Sequence, residues 1–230
     1  MNAAYSAGAI AGPSADFWRD RSVLITGVCG TVGGELLRQL LETPIARIVG
    51  LDNDESELFF LKERHATEDR FSVYHCDITD DKALAFRCRG IDIILHTAAL
   101  KHVGVCERSP RSAVNTNIIG TQNVIEAAIA AGVKRTVFTS SDKAVNPTSV
   151  MGTSKLMCER LLSAAAVHDG ASGSEFASVR FGNIIGSRGS VVPLFKRQIA
   201  AGGPLTLTSA QMTRFIIHSP SGMPSDVSFA

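Results

Sequence analysis

An acid and an amine stand side by side in Thr139-Ser140-Ser141-Asp142-Lys143-Ala-Val-Asn-Pro147, and a second lysine follows in Val150-Met151-Gly-Thr-Ser-Lys155. A carboxyl group and an amine held together can move protons in both directions, each such role being worth about 10²–10⁴ in rate. Met151 occupies the place, four residues before Lys155, where a tyrosine would complete a Tyr-x-x-x-Lys pair. A thioether neither titrates nor donates a proton, so proton transfer in this stretch falls to other groups. An arbitrary Asp-Lys dipeptide is usually a solvated pair. Its place after a strand-like run and before Met151-x-x-x-Lys155 argues for an active site, with Met151 and Lys155 counted in it.

A second constellation is Thr26-Gly27-Val-Cys-Gly30-Thr31-Val32-Gly33-Gly34, set between an apolar run and a segment with leucines at 36, 37, 40 and 41. The glycines permit a tight turn, close backbone approach to a pyrophosphate and close helix packing, while the helix N-terminus offers N–H groups and a positive dipole end. Asp52 closes the next apolar run, where a carboxylate can accept from both adenosine ribose hydroxyls or cap the following helix. Its charge would repel a 2′-phosphate, which favours NAD over NADP. Asp77 can meet the adenine amino group or serve as an N-cap, with Asp80 nearby. Asn53, Ile78 and Ala98 complete the expected cofactor lining with Thr31 and Val32.

These residues need a scaffold that brings strand ends together. Val23–Thr26, Ile48–Leu51, Phe71–His75, Ile91–His96, Thr136–Thr139 and Ala177–Phe181 read as strands, each followed by a segment of helix length. Continuous Val, Ile and Leu without strict alternation indicates parallel strands covered on both faces. The expected class is α/β, a doubly wound parallel sheet of Rossmann type. His168–Ser174 reads as a surface loop, residues 182–190 as a Gly- and Ser-rich stretch, and Val191–Ala201 as a helix; the last dozen residues lack periodicity. The expected division is an N-terminal extension (1–21), an NAD-binding domain (22–181) and a small, partial substrate-binding region (182–230), with the chain stopping inside that region.

Composition narrows the partners. A net charge of +1 and the absence of Lys or Arg runs give no support for a nucleic-acid groove. Five scattered cysteines, never in a C-x-x-C pair, support neither a disulfide framework nor a metal site and fit a reducing cytoplasm. No apolar run approaches a membrane span, and the opening residues lack the pattern of a secretion signal.

The ordered set of motifs, Thr-Gly-x-x-Gly-x-x-Gly, His96-Thr-Ala-Ala-Leu-Lys101-His102-Val, Asn117-Ile-Ile-Gly-Thr-Gln-Asn123, Ser140-Ser-Asp-Lys143, Met151-Gly-Thr-Ser-Lys155 and Arg180-Phe-Gly-Asn183, resembles the extended short-chain dehydrogenase/reductases. More narrowly it resembles the polysaccharide-biosynthesis 4,6-dehydratases of UDP-N-acetylglucosamine and related sugar nucleotides. The resemblance runs from Ser22 to Phe215 and implies an internal redox sequence: oxidation at sugar C4 by NAD(P)+, loss of water across C5 and C6, and reduction at C6. It implies Asp142 as acid for the departing C6 hydroxyl and Lys143 as base at C5. Lys155 would hold the nicotinamide ribose, and Lys101 would touch cofactor and sugar nucleotide together. Asn183, Arg188 and Arg214 would meet the substrate diphosphate and sugar. With Met151 in place of tyrosine, the base at the C4 hydroxyl is either Asp142 acting twice or Ser141 relaying to a neighbour. Asn117 is expected to brace the sheet, and His96 and His102 to be packing or loop residues. A homo-oligomer is expected. The competing readings are a nucleotide-sugar 4-epimerase, which lacks the elimination, and a non-catalytic NAD-binding protein.

Overall fold

The computed structural model describes residues 14–168, 173–187, 189–207, 209 and 211–217. Arg188, the middle of the expected 168–174 loop and the whole aperiodic last dozen residues lie outside the described residues. In chain order the elements are α1 (Ala15–Trp18), β1 (Ser22–Thr26), α2 (Thr31–Leu41), β2 (Arg47–Asp52), α3 (Glu55–Arg64), β3 (Phe71–His75) and α4 (Asp81–Arg87). Then come β4 (Ile93–His96), α5 (Val103–Arg108), α6 (Pro110–Ala113), a π-helical turn (Val114–Ile119), α7 (Gly120–Ala131) and β5 (Arg135–Ser141). A 3₁₀ turn (Asp142–Ala144), α8 (Val150–His168), β6 (Glu175–Phe181), β7 (Asn183–Ile184), α9 (Val191–Ala200) and β8 (Ile216–Ile217) follow.

β1 to β6 form one parallel sheet in the order β3-β2-β1-β4-β5-β6. The strand order reverses between β1 and β4, which opens a crevice at the carboxyl ends of those strands. The core lies on both faces of the sheet. Val23, Ile25, Ile48 and Leu95 face Leu37 and Leu40 of α2 and Leu58 and Leu61 of α3, while Leu24, Val49 and Ile94 face Leu84 of α4 and Val124 and Ala128 of α7. Burying each large aliphatic side chain contributes about 1.5–3 kcal/mol. Trp18 of the N-terminal segment packs into the first cluster, so residues ahead of β1 also seal the core.

The expectation of strands covered on both faces holds for β1, β2 and β4 and fails at β6, where Glu175, Ala177, Ser178 and Arg180 are exposed. β6 is an edge strand paired only with β5, and α8 packs against it. β7 and β8 form a separate two-stranded parallel ribbon, pairing Asn183 with Ile216. The helix expected at 191–201 is α9, although none of its residues is buried.

Candidate active site

The glycine loop is shaped by backbone contacts that exclude side chains. Gly27 adopts φ +71, a conformation glycine enters without strain, and donates its N–H to the Leu51 carbonyl at 2.7 Å. A Cβ there would stand 2.8 Å from the Ala98 backbone, and one on Gly33 would stand 2.3 Å from the Gly27 carbonyl oxygen. The first turn of α2 is therefore pressed onto the loop, with Gly30 at its N-cap and no side-chain cap hydrogen bond.

Asp52 braces this loop. Its Oδ2 accepts from the Cys29 N–H at 2.9 Å and its Oδ1 from the Asp54 N–H at 3.2 Å. Neither it nor Asp77 caps a helix: Asp54 caps α3 through the Glu57 N–H, and Asp80 caps α4 through the Ala83 N–H. The capping alternatives for Asp52 and Asp77 are thus set aside, because each true cap lies two or three residues further along. Asp77 accepts from the Thr79 N–H and hydroxyl with Oδ1, and from the Asn53 amide at 3.0 Å with Oδ2. Burial alone would raise its pKa, but these hydrogen bonds outweigh it and hold the carboxyl below its ordinary value.

At the end of β5 the chain delivers Ser141, Asp142 and Lys143. The Ser141 hydroxyl donates to Asp142 Oδ1 at 3.0 Å, and Lys143 Nζ donates to the same oxygen at 2.9 Å. Lys143 Nζ also reaches Asn183 Oδ1 at 2.7 Å, which ties the turn to β7. Partial burial pushes the Asp142 pKa up, yet the Lys143 and Ser141 bonds bring it below the usual carboxylate range. The pair is part-buried, with side chains 23% and 32% exposed, unlike the solvated pair that the dipeptide alone would suggest.

Lys155 lies one layer deeper. Its Nζ donates to the Thr139 carbonyl at 2.8 Å and stands 4.4 Å from the centroid of Phe138. Burial pushes it down to about 8, while Cys158 and Glu159 act in the opposite sense. His96 is a packing residue, as expected: it is 1% exposed, with Nδ1 2.7 Å from the Thr26 hydroxyl and Nε2 3.0 Å from the Thr121 hydroxyl. Burial, with Lys155 adding to it, lowers the imidazole to about 3.

Asn117 braces a loop where the sheet had been expected. Its Oδ1 accepts from the Leu100 N–H at 2.8 Å and its Nδ2 donates to the Leu100 carbonyl and to the Ser154 hydroxyl. This fixes the backbone just ahead of Lys101. Met151 is buried in a small cluster with Cys106 and Ala113, against Leu100 and Val150.

A cavity of about 820 Å³ joins these parts. On the cofactor side it is lined by Gly27, Gly30, Thr31, Val32, Asp52, Asn53, Asp77, Ile78 and Ala98; towards β5 and the ribbon it is lined by Lys101, Ser141, Lys143, Met151, Lys155, Asn183 and Arg214. Gly33 sits behind the loop. Asp142 faces a neighbouring cavity of about 480 Å³, shared with Lys143 and Arg214. Three contributors escaped the sequence reading: Gly152, where a Cβ would stand 2.3 Å from the Lys143 carbonyl oxygen, and the pair Glu159 and Arg180, joined at 2.6 Å. The first could have been sought as a glycine inside a helix, and Glu159 as a carboxylate one turn after Lys155. No cluster of three or more metal-ligating side chains occurs among the described residues.

A doubly wound sheet with a glycine cradle at its switch point and a Ser-Asp-Lys turn after β5 defines an extended short-chain dehydrogenase/reductase, of the group that includes nucleotide-sugar dehydratases and epimerases. Within that group, the chain belongs to the polysaccharide biosynthesis protein family, whose model matches residues 23–224. It is 44% identical to an uncharacterized membrane protein of Methanocaldococcus jannaschii over 88% of this chain and 60% of that protein. It is 38% identical to an inverting UDP-N-acetylglucosamine 4,6-dehydratase of Campylobacter jejuni (88% and 61%) and 37% identical to a UDP-glucose 4-epimerase of Rickettsia canadensis (86% and 59%). Among solved structures, Pen from Bacillus thuringiensis superposes with a TM-score of 0.86 at 42% identity, over 88% of this chain and 63% of that one. The dTDP-glucose 4,6-dehydratase DesIV of Streptomyces venezuelae, a double mutant with NAD bound, gives 0.77 at 26% identity, over 85% and 67%. The chain thus spans about 60% of the length of these three curated relatives. Among the described residues, no helix is long and apolar enough to cross a membrane.

Proposed function

We propose that this chain carries the cofactor and proton-transfer machinery of a nucleotide-sugar 4,6-dehydratase acting in surface polysaccharide biosynthesis, with UDP-N-acetylglucosamine or a close relative as substrate. The observation that carries the reading is the Asp142–Lys143 couple, 2.9 Å apart, with Lys143 lining both the main cavity and the neighbouring one that Asp142 faces. A 4-epimerase needs only redox chemistry at C4, whereas elimination of water needs a second acid and base. The epimerase named among the relatives is the second reading.

The residues fit NAD. A Cβ at Gly27 would collide with the Ala98 backbone and one at Gly33 with the Gly27 carbonyl, so the loop keeps the bare backbone that a pyrophosphate approaches, with the α2 N-terminus beside it and Asp52 lining the same cavity. NAD+, when bound, supplies the reversible two-electron chemistry that oxidises sugar C4 and later reduces C6. Lys155 would hold the nicotinamide ribose and supply positive charge near it. Asp142 is kept ionised by Lys143 and Ser141, so it must take up a proton before it can give one. Ser141 lines the main cavity and already donates to Asp142, which supports a relay: the C4 hydroxyl gives its proton to Ser141, and Ser141 gives its own to Asp142. Asp142 then protonates the departing C6 hydroxyl, and Lys143, once its ammonium has given a proton to solvent, removes the C5 proton and returns it to C5 as C6 is reduced. Lys101, Asn183, Arg188 and Arg214 would hold the diphosphate and sugar. The reading divides the chain into a cofactor domain at 22–181, preceded by an extension, and a substrate-side region at 182–230. It places the enzyme in the cytoplasm as a homo-oligomer.

The test is mass spectrometry of the protein incubated with UDP-N-acetylglucosamine and NAD+. A product lighter by one water, absent with Asp142→Asn and Lys143→Ala, is the expected result. A C4 epimer of unchanged mass would transfer the assignment to the second reading.

A further inference from the structure

Helix α8 reaches back to β5 at two successive residues. Lys155 Nζ bonds the Thr139 carbonyl at 2.8 Å, and one turn later Glu159 Oε1 accepts from the Ser140 hydroxyl at 2.5 Å. Residues four apart share one face of a helix, so α8 holds the backbone of one residue and the side chain of the next. Arg180 stands opposite Ser140 in the β5–β6 register and closes on the same carboxylate, with Nε 2.8 Å from Oε1 and Nη2 2.6 Å from Oε2. Three elements therefore meet at one buried carboxylate, and Glu159 is only 8% exposed. The next residues of β5 are Ser141, Asp142 and Lys143.

The sheet does not need this junction in order to pair, because Ser140 and Arg180 are already in register through the backbone. Desolvating a carboxylate is costly, and an apolar cluster would hold the same elements together at least as well. What the ion pair adds is a fixed height for the end of β5 and a negative charge one turn from Lys155. We propose that Glu159 is a positioning residue, acting through Ser140 on Ser141 to Lys143 and along the shared face of α8 on Lys155. Arg180 holds Glu159 below the ordinary carboxylate range, with Ser140 adding to this against the effect of burial. The titratable groups acting on Lys155 are Cys158 and Glu159 of its own helix, which raise it against burial, and it acts in turn on His96 of β4. Arg180 of β6 acts on Glu159.

The kinetic arm of the test rests on the dehydratase reading; the spectroscopic arm does not. Lysine labelled with ¹³C at Cε reports the titration of Lys155 by NMR in the intact protein. In Glu159→Gln, Lys155 is expected to lose its proton at lower pH than in the unsubstituted protein, and kcat to fall about tenfold to a hundredfold with little change in KM. In Ser140→Ala, kcat is expected to fall while the Lys155 titration stays where it was. A Lys155 midpoint unmoved in folded Glu159→Gln, or full kcat in folded Ser140→Ala, overturns the proposal. If the unsubstituted protein releases no product from any sugar nucleotide, the dehydratase reading fails and the NMR titration alone decides.

Discussion

Gly152 lies so close to Lys143 that a Cβ at position 152 would stand 2.3 Å from the Lys143 carbonyl oxygen and 3.1 Å from the Pro147 ring. Helix α8 backs directly onto the turn that presents Asp142 and Lys143, and backbone atoms cannot yield as a flexible side chain would. The lysine is thus aimed from behind by α8 and from the front by Asn183.

For Gly152→Ala, the turn must move or the helix must retreat. Overpacking of this kind costs about 1–3 kcal/mol. A lowered melting temperature is expected, together with a loss of turnover much larger than any loss of NAD affinity by calorimetry. Unimpaired turnover would show that the turn has freedom the geometry denies it.

Asp52→Ala removes the acceptor for the Cys29 N–H, so the glycine loop loses its brace and the cavity loses a carboxylate from its lining. A hydrogen bond to a charged group is worth about 1.5–3 kcal/mol. NAD binding measured by calorimetry should weaken about tenfold or more, and Asp52→Asn, which keeps an acceptor oxygen, should recover part of it.

Burial depresses Lys155 from 10.5 to about 8. Between those values the unfolded chain binds the proton that the folded one has released, so stability rises with pH across that window. Below it both states are protonated, and the cost of the buried charge is constant. Lys155→Met should abolish this increment: the stability difference between variant and parent in urea titrations, favouring the variant near neutral pH, should shrink steadily as the pH is raised. A difference independent of pH would mean that Lys155 is not depressed.

Met151 packs against Cys106 and Ala113 and has no proton to offer. Met151→Leu conserves volume and should cost less than about 1.5 kcal/mol, with turnover retained. Loss of turnover in a folded Met151→Leu would assign the thioether a part in substrate contact that packing does not require.

Much of the frame was legible because buried parallel strands declare themselves as runs of Val, Ile and Leu; Phe71–His75 matches β3 residue for residue, and β1, β2 and β5 are displaced at their ends by one or two residues. The glycine loop was legible because its spacing is demanded by backbone approach. Helix caps were less so: Asp52, Asp54, Asp77 and Asp80 are all chemically capable caps, and only the chain direction decides that Asp54 and Asp80 take the N–H groups. The Glu159–Arg180 pair joins residues of different elements, and no local pattern announces such a contact. β6 looked like a covered strand because Val179 and Phe181 are apolar, but its cover depends on neighbours beyond the reach of local sequence.

The π-helical turn at Val114–Ile119 carries a consequence for chain length. An i→i+5 turn accommodates one residue more than an α-helix would, and removing it lets the segment close into an ordinary helix. Each residue of an α-helix turns the chain by about 100°, so the shorter chain would have to rotate one flank against the other. Asn117 would swing off Leu100 and Ser154, or Thr121 off His96. Substitutions along this segment leave the backbone count intact, whereas a deletion of one residue changes which side chains face the site. The segment is therefore a ruler of fixed length, whose count of residues sets where Asn117 and Thr121 point.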